Sequence, residues 1–233
     1  MYPKPLQKLI DIFTKFPGIG PRQAGRFAFF ILNPVRNQPR RDVGVAVPLS
    51  AERISNGVKE NNDFVDELIE ALKEVKEKVN FCARCFRSME GQENSLCGFC
   101  RDSKRNQTAI AVVEKEADMQ NLEKTGLHQG VYHILGGVIF PLDADSPKKL
   151  RLREMHGRIK DVLEKQGKCE VILATGSTTE GDTTALYIER ILEPLKKQYA
   201  DFKISRLGRG LSLGSELEYA DEITLKNALA NRK

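Results

Sequence analysis

The sequence predicts an α/β protein in several parts: an N-terminal helical hairpin, a small four-cysteine element, and a C-terminal α/β domain with a mostly parallel sheet. Three observations predict it. Two apolar helical stripes flank the turn PGIG at 17–20. Four cysteines follow in the spacing C-x2-C-x11-C-x2-C. Beyond them, apolar strand-like runs alternate with amphipathic helical ones, the pattern of βαβ units. The parts fall at residues 1–33 (hairpin), 34–80 (loop and linker helix), 81–105 (cysteine element), 106–204 (α/β domain) and 205–233 (Gly-rich loop and helix).

The hairpin reads directly from periodicity. Leu6, Leu9, Ile10, Phe13 and Phe16 share one helical face, as do Ala24, Phe27, Ala28 and Ile31. Pro21 suits the first position of the second helix, where its missing N–H would have no partner anyway. Gly18 and Gly20 permit positive φ and close backbone approach. Residues 34–63 lack periodicity and read as a long loop with a short ordered piece around Val43–Leu49; it holds Arg36, Arg40, Arg41 and Arg53. A helix is expected at Phe64–Lys78. Strands are expected at Ala109–Val113, Val131–Leu135, Glu170–Thr175 and Lys203–Leu207. The intervening helices are expected at Ala117–Lys124, Leu150–Lys165 and Thr183–Gln198.

Charge is unevenly spread. The net charge is +5 over 233 residues. Residues 1–41 hold eight Lys/Arg against one Asp, a local excess of +7, which marks a polyanion-binding element. Backbone N–H groups of the glycine turn and the helix after it can face a phosphate. Arg22 and Arg26, four apart, share a helix face. An ordinary αα-hairpin fits the same residues; the local charge favours DNA. Aromatic residues make up only 7% and Trp is absent, which argues against a base-stacking platform for single strands. No apolar run approaches a membrane span. MYPKPLQKL has no secretory h-region, so a cytoplasmic protein is expected.

Cys82, Cys85, Cys97 and Cys100 have the spacing of a closed four-thiolate Zn²⁺ site. Such a shell leaves no open position for water, so one structural zinc per chain is expected, and reduced thiols without metal are the poorer reading. Cys169 stands alone and reads as a small buried hydrophobe. His128, His133 and His156 lack ligand spacing. Glu114, Glu180 and Asp182 follow strands and could hold Mg²⁺, although acidic residues at strand ends are usually just solvated. The stretch LGRGLSLGSELEYAD at 207–221 is glycine-rich but lacks the P-loop pattern, so no nucleotide hydrolysis is expected. No Gly-x-Ser-x-Gly nucleophile motif is present.

PGIGPRQAGRFAFFIL, the cysteine pairs, AIAVVEKEADMQNLEKTG, GVYHILGGVIFPLD, EVILATGSTTEGDTTALYI and LGRGLSLGSELEYADEITLKNAL occur in an order that resembles the bacterial RecR family from end to end. The resemblance implies a helix–hairpin–helix, a four-cysteine zinc element of the zinc-finger kind and a Toprim-like domain. It implies a non-enzymatic DNA-repair mediator. Such a protein acts with RecO, and in some settings RecF, to load RecA on single-stranded DNA, as a dimer or ring-like tetramer in the bacterial cytoplasm at the nucleoid. It places backbone DNA contacts at Gly18, Gly20, Arg22 and Arg26, and a possible Mg²⁺ or partner-binding acidic set at Glu114, Glu180 and Asp182. Residues 34–63 look longer than the family's usual link, as does the loop between the cysteine pairs. The acidic set departs from the DxD of catalytic Toprim enzymes. Two other readings stand beside this one: a Mg²⁺-dependent Toprim nuclease using that acidic set, and a protein adaptor without DNA binding.

Overall fold

The computed structural model describes residues 2–32, 51–211 and 214–232, for 51–63 the backbone alone. The chain divides into two compact units, Met1–Lys78 and Val79–Lys233.

The first unit is helical. Helix α1 spans Lys4–Phe13 and α2 spans Pro21–Leu32, with Pro21 at its first position as expected. Ile10 of α1 and Ala24 and Ala28 of α2 form a small buried core, with Leu6, Leu9, Phe13 and Ile19 packed on it. Alanine on α2 lets the two helices approach closely. Helix α3 spans Ala51–Lys78, thirteen residues earlier than the expected start at Phe64. Once a helix is nucleated, adding a residue costs little; helix formers such as Ala51, Glu52 and Arg53 extend it where the polar run to Asp63 gives no apolar stripe to read. The rest of the expected loop, with the piece at Val43–Leu49, lies outside the described residues.

The second unit opens with an antiparallel hairpin, β1 (Val79–Phe81) and β2 (Ser88–Glu90), paired Val79↔Glu90, Asn80↔Met89 and Phe81↔Ser88. A short helix α4 (Gly98–Arg101) follows. Then come β3 (Asn106–Val113), α5 (Glu116–Lys124), β4 (Gly130–Ile134), α6 (Leu152–Gln166), β5 (Lys168–Ala174), α7 (Thr179–Gln198), β6 (Asp201–Arg206) and α8 (Glu222–Ala230). Strands β3 to β6 form one parallel sheet in the order β4-β3-β5-β6.

Both faces of this sheet are covered, which explains its near-continuous apolar strands. Ile110 and Val112 of β3 join Met155, Ile159 and Leu163 of α6 and Ile188 and Leu192 of α7. Ala111 and Val113 point the other way, to Met119 of α5. From β3 the chain crosses to β4 on one side, and from β5 to β6 on the other. The carboxyl ends of β3 and β5 therefore flank the point where the winding reverses, the place where ligands gather in such sheets.

His133 of β4 is fully buried. Its Nε2 meets the Arg151 carbonyl at 3.0 Å, and its ring packs edge-on to Phe86. Burial, reinforced by the nearby Arg158 cation, pushes its pKa down to about 3. The unfolded chain binds the proton near pH 6.5. The unfolded state therefore gains a proton that the fold refuses, and stability falls as pH drops from about 6.5 towards 3. His133→Asn should flatten the urea-midpoint profile across that window; an unchanged profile would contradict the assignment.

Candidate metal centre and nucleic-acid interface

The hairpin turn is built from backbone bonds. Phe16 N–H donates to the Phe13 carbonyl at 3.1 Å, and Ile19 N–H to the Phe16 carbonyl at 3.1 Å. Gly18 has φ +76°, a left-handed conformation that a side chain would strain. Gly20 keeps an ordinary φ, against the expectation, and space around it is open. Its carbonyl accepts from Ala24 N–H at 2.9 Å, so Gly20 anchors the first turn of α2. Arg22 and Arg26 lie exposed, one turn apart, with no acidic residue in that first turn. Among the described residues no carboxylate pairs with either.

The four cysteines converge. Cys82, Cys85, Cys97 and Cys100 are buried, and their sulfurs all lie within 4.8 Å of one another. A tetrahedral zinc with bonds of about 2.3 Å spaces its sulfurs roughly 3.8 Å apart, so the cluster is compatible with a structural zinc site. Each pair sits on its own tight turn. Phe86 N–H donates to the Cys82 carbonyl at 3.0 Å, and Phe86 takes φ +64°. Cys100 and Arg101 N–H both donate to the Cys97 carbonyl at 3.1 Å. Hydrogen bonds from Cys100 and Cys97 push the Cys85 thiol up, while those converging on Cys97 pull it down. Four such sulfurs cannot all ionise without a cation among them, which suits a thiolate-binding metal.

The element is tied to the sheet by specific groups. Arg158 of α6 is buried, and its Nη1 donates to the Tyr132 carbonyl at 2.5 Å and to the Arg84 carbonyl at 3.2 Å. Arg84 lies inside the first cysteine turn, and Tyr132 lies on β4. Among the described residues, the Arg158 Nε and Nη2 atoms have no hydrogen-bond partner. Ile134 N–H donates to the Cys85 carbonyl at 3.0 Å. Glu116 accepts from the Ser88 amide and hydroxyl at 2.9 and 2.7 Å. Phe99 lies between the Arg87 and Arg105 guanidinium groups, 4.7 and 4.3 Å from its ring centre. Sequence pattern did not reveal Arg158: one arginine in an amphipathic helix carries no signal of burial. Cys169 matches its reading, since it is buried and burial pushes its thiol up to about 12.

The acidic residues are partly engaged by protein partners. Glu114 follows β3, and its Oε1 accepts from Gly176 N–H at 2.6 Å, after β5. Gly181 packs on the same spot: a Cβ there would lie 2.2 Å from the Gly176 carbonyl oxygen. Helix α7 begins at Thr179, so Glu180 and Asp182 occupy its first turn rather than the loop expected before Thr183. Thr178 caps the helix, its hydroxyl accepting from Gly181 N–H at 3.1 Å, a local bond that overrides the weak helix propensity of Thr-Glu-Gly-Asp. Asp182 is gripped by both terminal nitrogens of Arg209, at 3.1 Å for one of them. That pair, with Arg206 3.6 Å away, holds Asp182 below the usual carboxylate range. Asn231 Nδ2 donates to the Arg209 carbonyl at 2.8 Å, so the C-terminal segment folds back on this edge. Among the described residues, the cysteine quartet is the group whose ligand atoms converge as a metal site; the acidic three do not.

Comparison with known proteins bears on each part. Residues 6–41 match the family described as "RecR, helix-hairpin-helix". Residues 108–208 match the Toprim domain, and 210–233 match "RecR, C-terminal". The chain is 39% identical to "Recombination protein RecR" of Cutibacterium acnes over 232 residues, covering 100% of this chain and 96% of that protein. It is 36% identical to that of Myxococcus xanthus over 233 residues, covering 100% and 99%. It is 39% identical to that of Acidothermus cellulolyticus over 233 residues, covering 100% and 98%. Each match spans nearly the whole of both chains. No helix among the described residues is long and apolar enough to cross a membrane.

Arg158→Met should loosen the cysteine element, because the buried Tyr132 carbonyl and the part-buried Arg84 carbonyl lose their shared donor, at about 1–3 kcal/mol for the buried one. A lower urea midpoint and faster labelling of the cysteines by a thiol reagent are expected. Unchanged thiol reactivity would show that Arg158 does not hold this element.

Proposed function

The chain belongs to the RecR family of recombination proteins, and from that premise we propose that it is a non-enzymatic recombination mediator. Membership supports a role in recombination repair. The finer reading is a DNA clamp or scaffold that acts with RecO, and in some settings RecF, to help load RecA on single-stranded DNA at the nucleoid.

The observation that carries the reading is the pair Arg22 and Arg26, exposed and unpaired among the described residues, on the helix that follows the Gly18 turn. The first amides of α2 have no intrahelical carbonyl to meet. Together with the two guanidinium groups they form a surface for phosphates, with nothing arranged to read bases. Gly18 makes the turn tight, and Gly20 seats the helix start. One Zn²⁺ per chain would be held by Cys82, Cys85, Cys97 and Cys100. When bound, it cross-links two turns that have little apolar core of their own. Assembly as a dimer or ring-like tetramer is supported by apolar side chains left exposed in the helical unit: Phe16, Phe27, Phe64, Leu72 and Val75. The nuclease reading is disfavoured because Arg209 occupies Asp182 and Gly176 occupies one oxygen of Glu114. The acidic edge is better suited to meeting a partner.

Cys97→Ser should lower zinc content measured by metal analysis and reduce stability; full zinc retention would refute the four-thiolate site. A gel shift on gapped duplex with Mg²⁺ should show intact, retarded DNA, released as salt rises. Arg22→Glu should abolish most of the shift. Normal binding by that variant would remove Arg22 from the interface, and cut DNA from repurified protein would overturn the non-enzymatic reading.

A further inference from the structure

The face of α2 that carries the two arginines also carries a gap and Phe29, whose ring meets Tyr2 from the chain's start. Arg22, Gly25, Arg26 and Phe29 lie at i, i+3, i+4 and i+7 and so share one face. They line a groove of about 1080 Å³ together with Tyr2 and Gln7. Tyr2 is 51% exposed, and its ring meets Phe29 edge to face, centres 5.4 Å apart at 73°.

Gly25 is the informative residue. A glycine inside a helix costs about 1 kcal/mol relative to alanine. Its φ is ordinary, and a Cβ built there would meet nothing within 4 Å. No turn, packing contact or close approach within the described residues requires glycine here. Its effect is on the surface: it leaves a backbone shelf between the arginines and Phe29.

We propose that this groove binds an unpaired DNA strand, its backbone passing over the Gly25 shelf between Arg22 and Arg26 and a base lying against the Tyr2–Phe29 pair. The inference rests on the DNA-binding reading above and names the form of DNA that this surface takes. Guanidinium groups draw phosphates of either form. An aromatic face can stack only on a base whose own face is open, and a duplex keeps those faces covered by neighbouring pairs. The low aromatic content of the whole chain does not bear on this, because the fold gathers two rings beside the two arginines.

The test uses the full-length, zinc-loaded protein and fluorescence anisotropy, with labelled oligothymidine and a duplex of equal length at one salt concentration. Gly25→Leu fills the shelf with a better helix former. It should melt no lower than wild type, weaken single-strand binding by about tenfold or more, and leave duplex binding within about twofold. Tyr2→Ala should cost roughly 5- to 150-fold on the single strand, the range of one lost base–aromatic stack, and Tyr2→Phe should restore it. Unchanged single-strand binding by both Gly25→Leu and Tyr2→Ala, or equal losses on both DNA forms, would overturn the inference while leaving general DNA binding intact. A change of oligomeric state in Tyr2→Ala, read by light scattering, would also overturn it by making this face a subunit contact. Wild-type protein that binds neither DNA would instead sink the broader reading.

Discussion

A buried arginine ties the cysteine element to the sheet. The cysteine element has little apolar core, and the sheet presents it with one edge strand, β4, and the turns beside it. Arg158 reaches from α6 to both, donating to Tyr132 on β4 and to Arg84 inside the first cysteine turn. Burying a guanidinium is costly unless its charge and donors are answered. Two of its nitrogens find no oxygen among the described residues, and the sulfur cluster supplies counter-charge: burial pulls Arg158 down, and Cys100, Cys85 and Cys82 pull it back up. Four thiolates bound to a divalent cation keep a net negative charge. A metal bound there, the arginine and the sheet would therefore stabilise one another, and the cysteine element is part of the α/β unit rather than an appendage.

The acidic edge shows charge put to a similar structural use. Parallel sheets offer a natural ligand crevice where the winding reverses, and here it carries Glu114 from β3 and the loop after β5. The Gly176 amide caps Glu114, Gly181 closes against Gly176, and Arg209 from the C-terminal segment takes Asp182. Asp182 thus accepts hydrogen bonds that fasten the C-terminal segment, while Glu114 fastens the loop after β5.

Much of this was legible in the sequence because it rests on local rules. The hairpin, the cysteine spacing and the alternation of strands and helices each leave a periodic or fixed-offset trace. PGIG predicted the turn, yet only Gly18 uses a positive φ, since Gly20 is needed as the start of α2. What stayed hidden depends on tertiary placement. The helix before Phe64 has no apolar stripe to betray it. The burial of Arg158 depends on β4, twenty-six residues away. Asp182 looked like a loop residue because Thr178, not Asp182, starts the helix, and its arginine partner lies twenty-seven residues on. Tyr2 and Phe29 carry no signal in the sequence and meet only because two helices fold back on each other.

The all-parallel sheet also sets an order in time. No two of its strands can pair as a hairpin; each pairing waits for a helical crossover to be made and closed, and such non-local topologies fold slowly. The central strands β3 and β5 meet only after β4 and α6 have been synthesised between them. The two cysteine turns, in contrast, close within the stretch from Cys82 to Cys100 and leave the ribosome before β3. A metal held by these turns would be taken up while the sheet is still incomplete, giving the growing chain a finished surface on which its first strands can settle.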